Sequence, residues 1–392
     1  MQSIRNMTIQ DDLQDLETDL IAIRHHLHQN PELAFNEFGT TAYIKPMLKE
    51  WGYTLTEGIG GTGFVATLKY GNSNKVIGIR ADMDALPITE TSNHDWVSQT
   101  PGTMHACGHD GHTSMLLGAA HHLARTKNFD GTLHLIFQPA EEQAHNSGAR
   151  KMIADGLFEK FAFDMVFAFH NHPGIPAGQF VMRTGAFMAA CDQVNITLTG
   201  HGGHAARPHL SRDPLVAASA LVMGLQTVVA RNIDPLNSAV VSVGTLTSGN
   251  AVNVIPHSAE MAISVRSFSP EVRTLLKKRI MKMTENIAEA YDVIAEIAYK
   301  EGPPVLINHQ AAIDLAGAVA DELSDQHTVI LDFPPMMGSE DFACMLEKCP
   351  GALIRIGNGD SLPLHNPGYD FNDNIILRGS TFWCRLVEKY LA

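Results

Sequence analysis

Short apolar segments alternate with helical segments in the first part of the chain, and this alternation limits the possible folds most strongly. Residues 76–80 (VIGIR), 132–137 (TLHLIF) and 165–169 (MVFAF) read as strands, and residues 113–124 read as a helix of small and apolar residues. Strands that alternate with helices are typical of an α/β layer. The sequence therefore predicts an α/β fold on a mainly parallel sheet, with functional residues beyond the carboxyl ends of the strands.

Acids and a histidine stand at those strand ends. Asp82 and Asp84 follow the first strand, Glu141 and Glu142 the second, and His170 the third. Two adjacent carboxylates can divide the work: one binds a metal ion, and the other takes a proton from water and passes it to a leaving amine. A solvated acidic face and a strand-capping histidine are the alternatives.

The segment 104–112 (MHACGHDGH) is the densest in potential metal ligands. Cys107 and His109 are separated by Gly108, which permits the turn that lets both side chains face one site. Thiolate and imidazole at this density suit a late first-row divalent metal such as zinc, although a lone cysteine more often packs in a core. Together with the carboxylates, the segment predicts hydrolysis by metal-activated water.

Near residue 187 the pattern changes to strand, helix, strand, strand, helix, strand. The segments are 192–198, 214–230, 240–246, 260–268, 269–291 and 293–299. This order is that of a ferredoxin-like split βαβ unit. We therefore predict an inserted α+β domain at residues 187–302, with residues 1–186 and 303–392 forming one metal-binding domain.

Three polar positions of the inserted segment are candidates for ligand binding. His204 lies in a glycine-rich stretch whose backbone can approach a ligand closely, and Asn253 and Arg266 lie in the β region. Arg266 can pair bidentately with a substrate carboxylate. A turn histidine and a surface salt bridge are the alternatives. Spacing leaves the role of His365, in a proline-bounded loop, open.

Charge and cysteine usage exclude several classes of protein. The formal net charge of −14 argues against non-specific binding to nucleic acid or to anionic membranes. The five scattered cysteines do not look like a disulfide framework and fit a reducing compartment. The N-terminal segment lacks the apolar region of a secretory signal, and the apolar runs look too short to span a bilayer. A cytoplasmic protein is expected.

A series of ordered motifs carries a resemblance to a known family. The motifs are RHHLH at 24–28 with PEL at 31–33, RADMDALP at 80–87, MHACGHD at 104–110, FQPAEE at 137–142, GGHAA at 202–206, NVIP at 253–256 and GSEDF at 338–342. On these motifs the chain resembles the M20 metallopeptidase family over nearly its whole length. The similar subgroup contains amidohydrolases: hippurate hydrolases, bacterial N-acyl-amino-acid deacetylases and plant auxin-conjugate hydrolases.

The resemblance implies a catalytic domain that holds two divalent metal ions (zinc, manganese, cobalt or nickel) and an inserted lid domain that mediates homodimerisation. By likeness, the metal ligands are Cys107, His109, Glu142, His170 and His365, with Cys107 bridging. One departure concerns the first strand, since typical members have His-x-Asp where this chain has Asp82-Met83-Asp84. His109 is expected to supply the missing ligand.

The resemblance also implies the remaining roles. Glu141 would be the general base, Asp84 would orient a ligand, and His204 would stabilise the oxyanion across the dimer interface. Asn253 and Arg266 would hold the substrate, an N-acyl amino acid with an acetyl, benzoyl or aryl-acetyl group. A metallo-dipeptidase or aminopeptidase and an N-acetyl-diaminopimelate deacetylase are the close alternatives. A non-catalytic metal-binding protein is the distant one, and it would need no base at Glu141.

Overall fold

The computed structural model describes residues 9–323 and 329–392, and this part of the chain divides into two compact units. The first comprises the described residues within Met1–Phe187, Ile307–Pro334 and Asp341–Ala392, and the second comprises Met188–Leu306 and Pro335–Glu340. The second unit thus takes in a segment, Pro335–Glu340, that lies outside the insertion expected from sequence. This segment belongs to the second unit because it is hydrogen-bonded to it: the Ala189 N–H donates to the carbonyls of Met336 and Gly338, at 3.1 and 2.9 Å.

A seven-stranded sheet forms the centre of the first unit. Across the sheet the strands are Thr54–Glu57, Phe64–Tyr70, Gly131–Gln138, Val76–Asp82, Met165–Pro173, Gly351–Gly359 and Phe180–Val181. The four strands from Gly131–Gln138 to Gly351–Gly359 are parallel, and the edge strands are antiparallel. The parallel strands are almost wholly buried, as apolar strands of such sheets are. The predicted α/β fold on a mainly parallel sheet is confirmed.

The first unit also contains α-helices. Those described are Ile9–Gln14, Glu17–Gln29, Phe38–Glu50, His109–Thr126, Gly148–Ala154, Leu157–Lys160, Gln310–Glu322, Ala343–Leu346 and Ile376–Tyr390. The helix expected at 113–124 begins earlier, at His109. Nearly all of His109–Thr126 is buried, and it packs on Ile376–Tyr390 so closely that a Cβ at Gly379 would lie 2.0 Å from Met115 Sδ. This burial fixes the first turn of the helix against the sheet.

The second unit is a four-stranded antiparallel sheet with two helices. Along the chain its main elements are Ala190–Thr199, Pro214–Asn232, Ala239–Ser248, Ser258–Ser267, Pro270–Ala290 and Ile294–Glu301. The two strands from Ala190 and Ser258 are central, and the strands from Ala239 and Ile294 are at the edges. The order of elements is that of a split βαβ unit. This unit also contains the short strands Gly203–His204 and Val254–Ile255, and the paired short strands Gly185–Met188 and Leu306–Asn308 lie where the chain passes from one unit to the other.

One helix of the described part of the chain, Pro214–Asn232, is long and apolar enough to cross a membrane by length and composition alone. The expectation that the apolar runs are too short to span a bilayer therefore does not hold for this helix by length and composition. A core helix of a compact unit can meet the same criteria, and Leu221, Leu225 and Val228 of this helix are fully buried in the core of the second unit.

Candidate metal centre

The first turn of the His109–Thr126 helix lies at the carboxyl edge of the parallel strands. Gly108 precedes the helix with φ 88°, and a Cβ there would lie 2.7 Å from Asn171 Oδ1, so glycine is required at this position. The Cys107 Sγ is 3.4 Å from His170 Nε2. Ligand atoms of Cys107, His109 and His170 all lie within 4.8 Å of one another, and all three residues are buried.

A second ligand group shares the same sulfur atom. Ligand atoms of Cys107, Glu142 and His365 also lie within 4.8 Å of one another. The His365 Nε2 is 3.2 Å from Glu142 Oε1, and His365 adopts a left-handed backbone with φ 64°. Backbone strain at a non-glycine residue concentrates at functional sites. All five ligands implied by the resemblance therefore come together in the first unit, with Cys107 common to both groups.

The hydrogen bonding of the buried His109 ring indicates whether these residues fit a metal ion. His109 Nδ1 donates to the Asp84 carbonyl at 2.8 Å, and this bond leaves Nε2 as the coordinating atom. That Nε2 is buried and lacks a hydrogen-bond partner among the described residues. Orphaned polar atoms in a core are rare, and metal-binding histidines commonly donate their other nitrogen to a protein oxygen. The thiol, imidazole and carboxylate donors thus fit a zinc-type divalent ion.

The pKa values of the ligands show that protons compete with metal here. Hydrogen bonds to Cys107 and Glu142 raise the pKa of His365 to about 10. Burial raises the pKa of the Cys107 thiol, and the Glu142 carboxylate raises it further. Metal ions bind the deprotonated forms of these groups. Metal affinity should therefore rise with pH and fall as these groups are protonated.

Asp82 belongs to a buried charge network beside these groups. Its Oδ2 accepts from Arg80 Nη1 at 2.7 Å and its Oδ1 accepts from His112 Nδ1 at 2.6 Å. Burial opposes ionisation, but Arg80 together with His109 and His112 holds the pKa of Asp82 well below its usual range. Asp82, His109 and His112 are also close enough to hold a metal ion. However, Arg80 and His112 occupy both oxygens of Asp82, and both ring nitrogens of His112 are bonded, so we interpret this network as orienting.

Sequence reasoning missed several members of this network. Arg80 Nη2 donates to Asp341 Oδ1 at 3.0 Å, and the Asn171 backbone N–H donates to His112 Nε2 at 3.1 Å. The spacing of His109 and His112, three apart on one helix, was a usable signal for a shared site. Nothing in the local sequence connects Arg80 with Asp341.

Two buried carboxylates hold three consecutive backbone N–H groups at the turn that carries the paired acids. Asp84 accepts from Glu141 N at 2.9 Å and from Glu142 N at 3.0 Å, while Glu37 accepts from Ala140 N at 2.9 Å. Ala140 has a left-handed backbone with φ 50°, which a non-glycine residue adopts only at a cost. Asp84 and Glu37 thus stabilise the conformation that directs Glu141 and Glu142 towards the ligand groups.

Glu37 is expected to act as a positioning residue. Glu37→Ala should lower kcat and metal affinity roughly 10- to 100-fold, as loss of outer-shell partners does, because Ala140 N–H loses its acceptor. KM measured with metal in excess should change little. Glu37→Gln retains an acceptor oxygen and should restore most of both quantities. Steady-state kinetics with measurement of bound metal checks this, and equal losses in both variants would contradict it.

Glu141 lies at the rim of the ligand groups. Its Oε2 is 3.9 Å from His109 Nε2, and its side chain is 10% exposed. Ligand atoms of His109, Glu141 and Glu142 lie within 4.8 Å of one another. The position is close enough to the metal ligands for proton transfer and open enough for water to reach it.

The other three candidate residues lie in the second unit. His204 is exposed on the short strand that pairs with Val254–Ile255, and Asn253 O accepts from Ala205 N nearby. The Ala206 N–H donates to His204 Nδ1 at 3.0 Å, so neutral His204 carries its proton on Nε2 and can donate there. Arg266 is half-buried, and its Nη1 donates to Ser339 Oγ at 3.2 Å. This contact differs from the surface salt bridge considered as the alternative.

Comparison with known proteins gives one family. Residues 78–389 match the model of peptidase family M20/M25/M40. A hippurate hydrolase of Campylobacter jejuni is 44% identical over 387 residues, which are 98% of this chain and 100% of that protein. An N-acetyl-L-cysteine deacetylase of Bacillus subtilis is 40% identical over 380 residues, 97% of this chain and 90% of that protein.

A solved structure extends the similarity to three dimensions. A Bacillus subtilis protein described as a dinuclear metal binding peptidase from the M20 family is 33% identical, with a TM-score of 0.82. The match covers 96% of this chain and 99% of that one.

Proposed function

Because the chain belongs to peptidase family M20/M25/M40, we propose that it is a metal-dependent amidohydrolase that cleaves N-acyl amino acids to a carboxylic acid and a free amino acid. The family resemblance inferred from the motifs is confirmed, and the relatives identify a hydrolase of amide bonds that acts on small molecules. The observation that carries the proposal is one sulfur, Cys107 Sγ, common to two ligand groups, beside a turn that carries two carboxylates.

Two divalent metal ions are the cofactor, consistent with the two ligand groups and with the dinuclear relative. We assign Cys107, His109 and His170 to one ion and Cys107, Glu142 and His365 to the other. When bound, such ions lower the pKa of water and polarise an amide carbonyl.

The protein's own residues would perform the remaining steps. Glu141 would take a proton from the attacking water and return it to the leaving nitrogen. His204, with its proton on Nε2, would donate a hydrogen bond to the oxyanion of the tetrahedral intermediate. Asn253 and Arg266 would hold the amino-acid part of the substrate, since a guanidinium pairs well with a carboxylate. A local cation is needed because the protein's net charge of −14 would otherwise repel a substrate carboxylate.

The experiment that tests this function is a substrate panel. Chelated protein, reloaded with zinc, manganese, cobalt or nickel, should release free amino acid from N-acetyl-, N-benzoyl- or indole-acetyl-amino acids and leave free dipeptides intact. Cleavage of dipeptides alone would show that the protein is a dipeptidase or aminopeptidase. Preference for N-acetyl-diaminopimelate over all other acylated substrates would favour that deacetylase. No cleavage of any substrate by metal-loaded protein would contradict an amidohydrolase.

We also propose a homodimer formed through the second unit, residues near 187–302, acting as a lid domain, and a cytoplasmic location. The first unit, near residues 1–186 and 303–392, would be the catalytic domain. Closing of a lid over the metal centre would exclude water during the reaction. A single-chain mass in sedimentation equilibrium would rule out the dimer, and secretion into the culture medium would rule out the location.

A further inference from the structure

A second group of histidines and carboxylates lies in the first unit, apart from the predicted metal centre. Ligand atoms of His28, His94 and Asp370 lie within 4.8 Å of one another. The carboxylate of Glu90 joins them, since its Oε1 is 3.2 Å from both His28 Nε2 and His94 Nε2. The His94 Nε2 is 3.9 Å from Asp370 Oδ1.

These separations suit a tetrahedral ion. Zinc binds histidine nitrogen and carboxylate oxygen at about 2.0–2.2 Å, which places neighbouring tetrahedral ligands about 3.3–3.6 Å apart. The two 3.2 Å distances to Glu90 Oε1 are close to this value. Asp370 Oδ1, 3.9 Å from His94 Nε2, also accepts from Arg24 Nη1 at 2.9 Å and from Trp96 Nε1 at 3.3 Å, so its carboxylate would have to rotate to bind the ion.

The groups behind these atoms are arranged as in metal sites. His28 Nδ1 is 2.8 Å from Asp110 Oδ2 and forms a carboxylate–histidine pair with it. His28 Nε2 is bonded to Glu90 Oε1 at 3.2 Å, and an ion between these two atoms would replace that hydrogen bond. The Ser98 N–H fixes the other oxygen of Glu90 at 2.7 Å. Both ring nitrogens of His94 are buried and make no well-aligned hydrogen bond to the described residues, although Nε2 is 3.2 Å from Glu90 Oε1 and the ring stacks on Trp96.

The charge balance also calls for a cation. Glu90, Asp110, Asp370 and Asp373 contribute four negative formal charges around the single guanidinium of Arg24, which is bonded to Asp370 and Asp373 at 2.9 and 2.8 Å. Burial opposes a charge on His28, but hydrogen bonds to Asp110 and Glu90 raise its pKa to about 9. A proton on His28 offsets one of these negative charges. It does not supply a hydrogen bond to the ring nitrogens of His94.

We propose that His28, Glu90, His94 and Asp370 form a third divalent-cation site, for a zinc-type ion held by nitrogen and oxygen ligands only. Four protein ligands and no open position are the mark of a structural site. The site joins the helix Glu17–Gln29, the loop after the strand Val76–Asp82, and the segment between His365 and the Ile376–Tyr390 helix. His94 and Asp370, with side chains 14% and 31% exposed, give the ion a path from solvent.

Metal counting tests the site directly. Wild-type enzyme and two single variants, His94→Ala and His121→Ala, are equilibrated with zinc, freed of excess metal and analysed for bound zinc. His121 is the matched control, because it is another half-buried histidine of the first unit that contacts a tryptophan, Trp51. His94→Ala should bind one equivalent fewer than wild type and His121→Ala, with unchanged amidase activity. This difference tests the site whatever substrate the enzyme cleaves.

Cobalt adds a spectroscopic test. Cobalt at the catalytic centre should show near-ultraviolet thiolate charge transfer from Cys107, whereas cobalt at the third site should add only visible absorption. Asp370→Asn, which keeps the side-chain shape, should weaken binding of this equivalent at least 10-fold and serves if His94→Ala does not fold. Equal metal content in wild type and His94→Ala, or an added equivalent that shows thiolate charge transfer, would overturn the proposal.

Discussion

Glu141→Gln is expected to lower the turnover number about 10²- to 10⁴-fold while both metal ions remain bound, since general acid–base groups contribute about that factor. Glutamine has the shape of glutamate but does not accept a proton from water at neutral pH. The backbone N–H of residue 141 would still donate to Asp84, so the turn should keep its conformation. Steady-state kinetics, with metal content measured on the same preparation, checks the prediction.

The adjacent acid provides the control for this variant. Glu142 lies in a ligand group with Cys107 and His365, whereas Glu141 lies at the rim of the site. Glu142→Gln should therefore lose metal as well as turnover, and added metal should restore part of its activity. Near-normal turnover in Glu141→Gln would refute the role of general base. Loss of metal in Glu141→Gln would instead make that residue a ligand.

Cys107→Ser is expected to reduce metal content and activity together, by more than the roughly 10- to 100-fold that outer-shell changes cause. The Cys107 sulfur is common to both ligand groups, so the substitution weakens two sites at once. Serine keeps the size of the side chain, but its hydroxyl is a much poorer ligand for zinc-type ions than a thiolate. Metal analysis after equilibration at a fixed free metal concentration measures the loss.

The same residue should make the wild-type enzyme sensitive to oxidants and thiol reagents. Metal-free protein should react faster than metal-loaded protein, because a bound ion masks the sulfur. Cys191 is the matched control, since it is the one partly exposed cysteine of the five, all of which are described and free. Cys191→Ser should retain metal, activity and sensitivity. A Cys107→Ser protein with full metal content and full activity would refute the assignment of Cys107 as a metal ligand.

The strand-end rule explains how much of the site could be predicted from sequence. The carboxyl ends of parallel strands meet at one sheet edge, so residues after three separate apolar segments were expected to lie together. The strands extend further than predicted, to Asp82, Gln138 and Pro173, so Asp82 and His170 lie within strands. The error is small because the side chains still lie at the same edge.

Other residues were beyond local reasoning. Glu37 bonds Ala140, and Arg80 bonds Asp341, across distances along the chain that no periodic pattern spans. His365 follows the inserted unit, and only the family resemblance identified it. Such contacts depend on which elements pack against each other, and packing does not follow from the propensity of any one segment.

The sequence by itself determined the kinds of element, their order, and the chemistry of the ligands, because hydrophobic periodicity and side-chain type are local properties. Tertiary structure decided which atom of each side chain is available. The bond from His109 Nδ1 to the Asp84 carbonyl leaves Nε2 for a metal, whereas Arg80 and His112 occupy the oxygens of Asp82. These outcomes depend on burial, because a buried polar atom must find a partner, and the fold determines which partners are within reach.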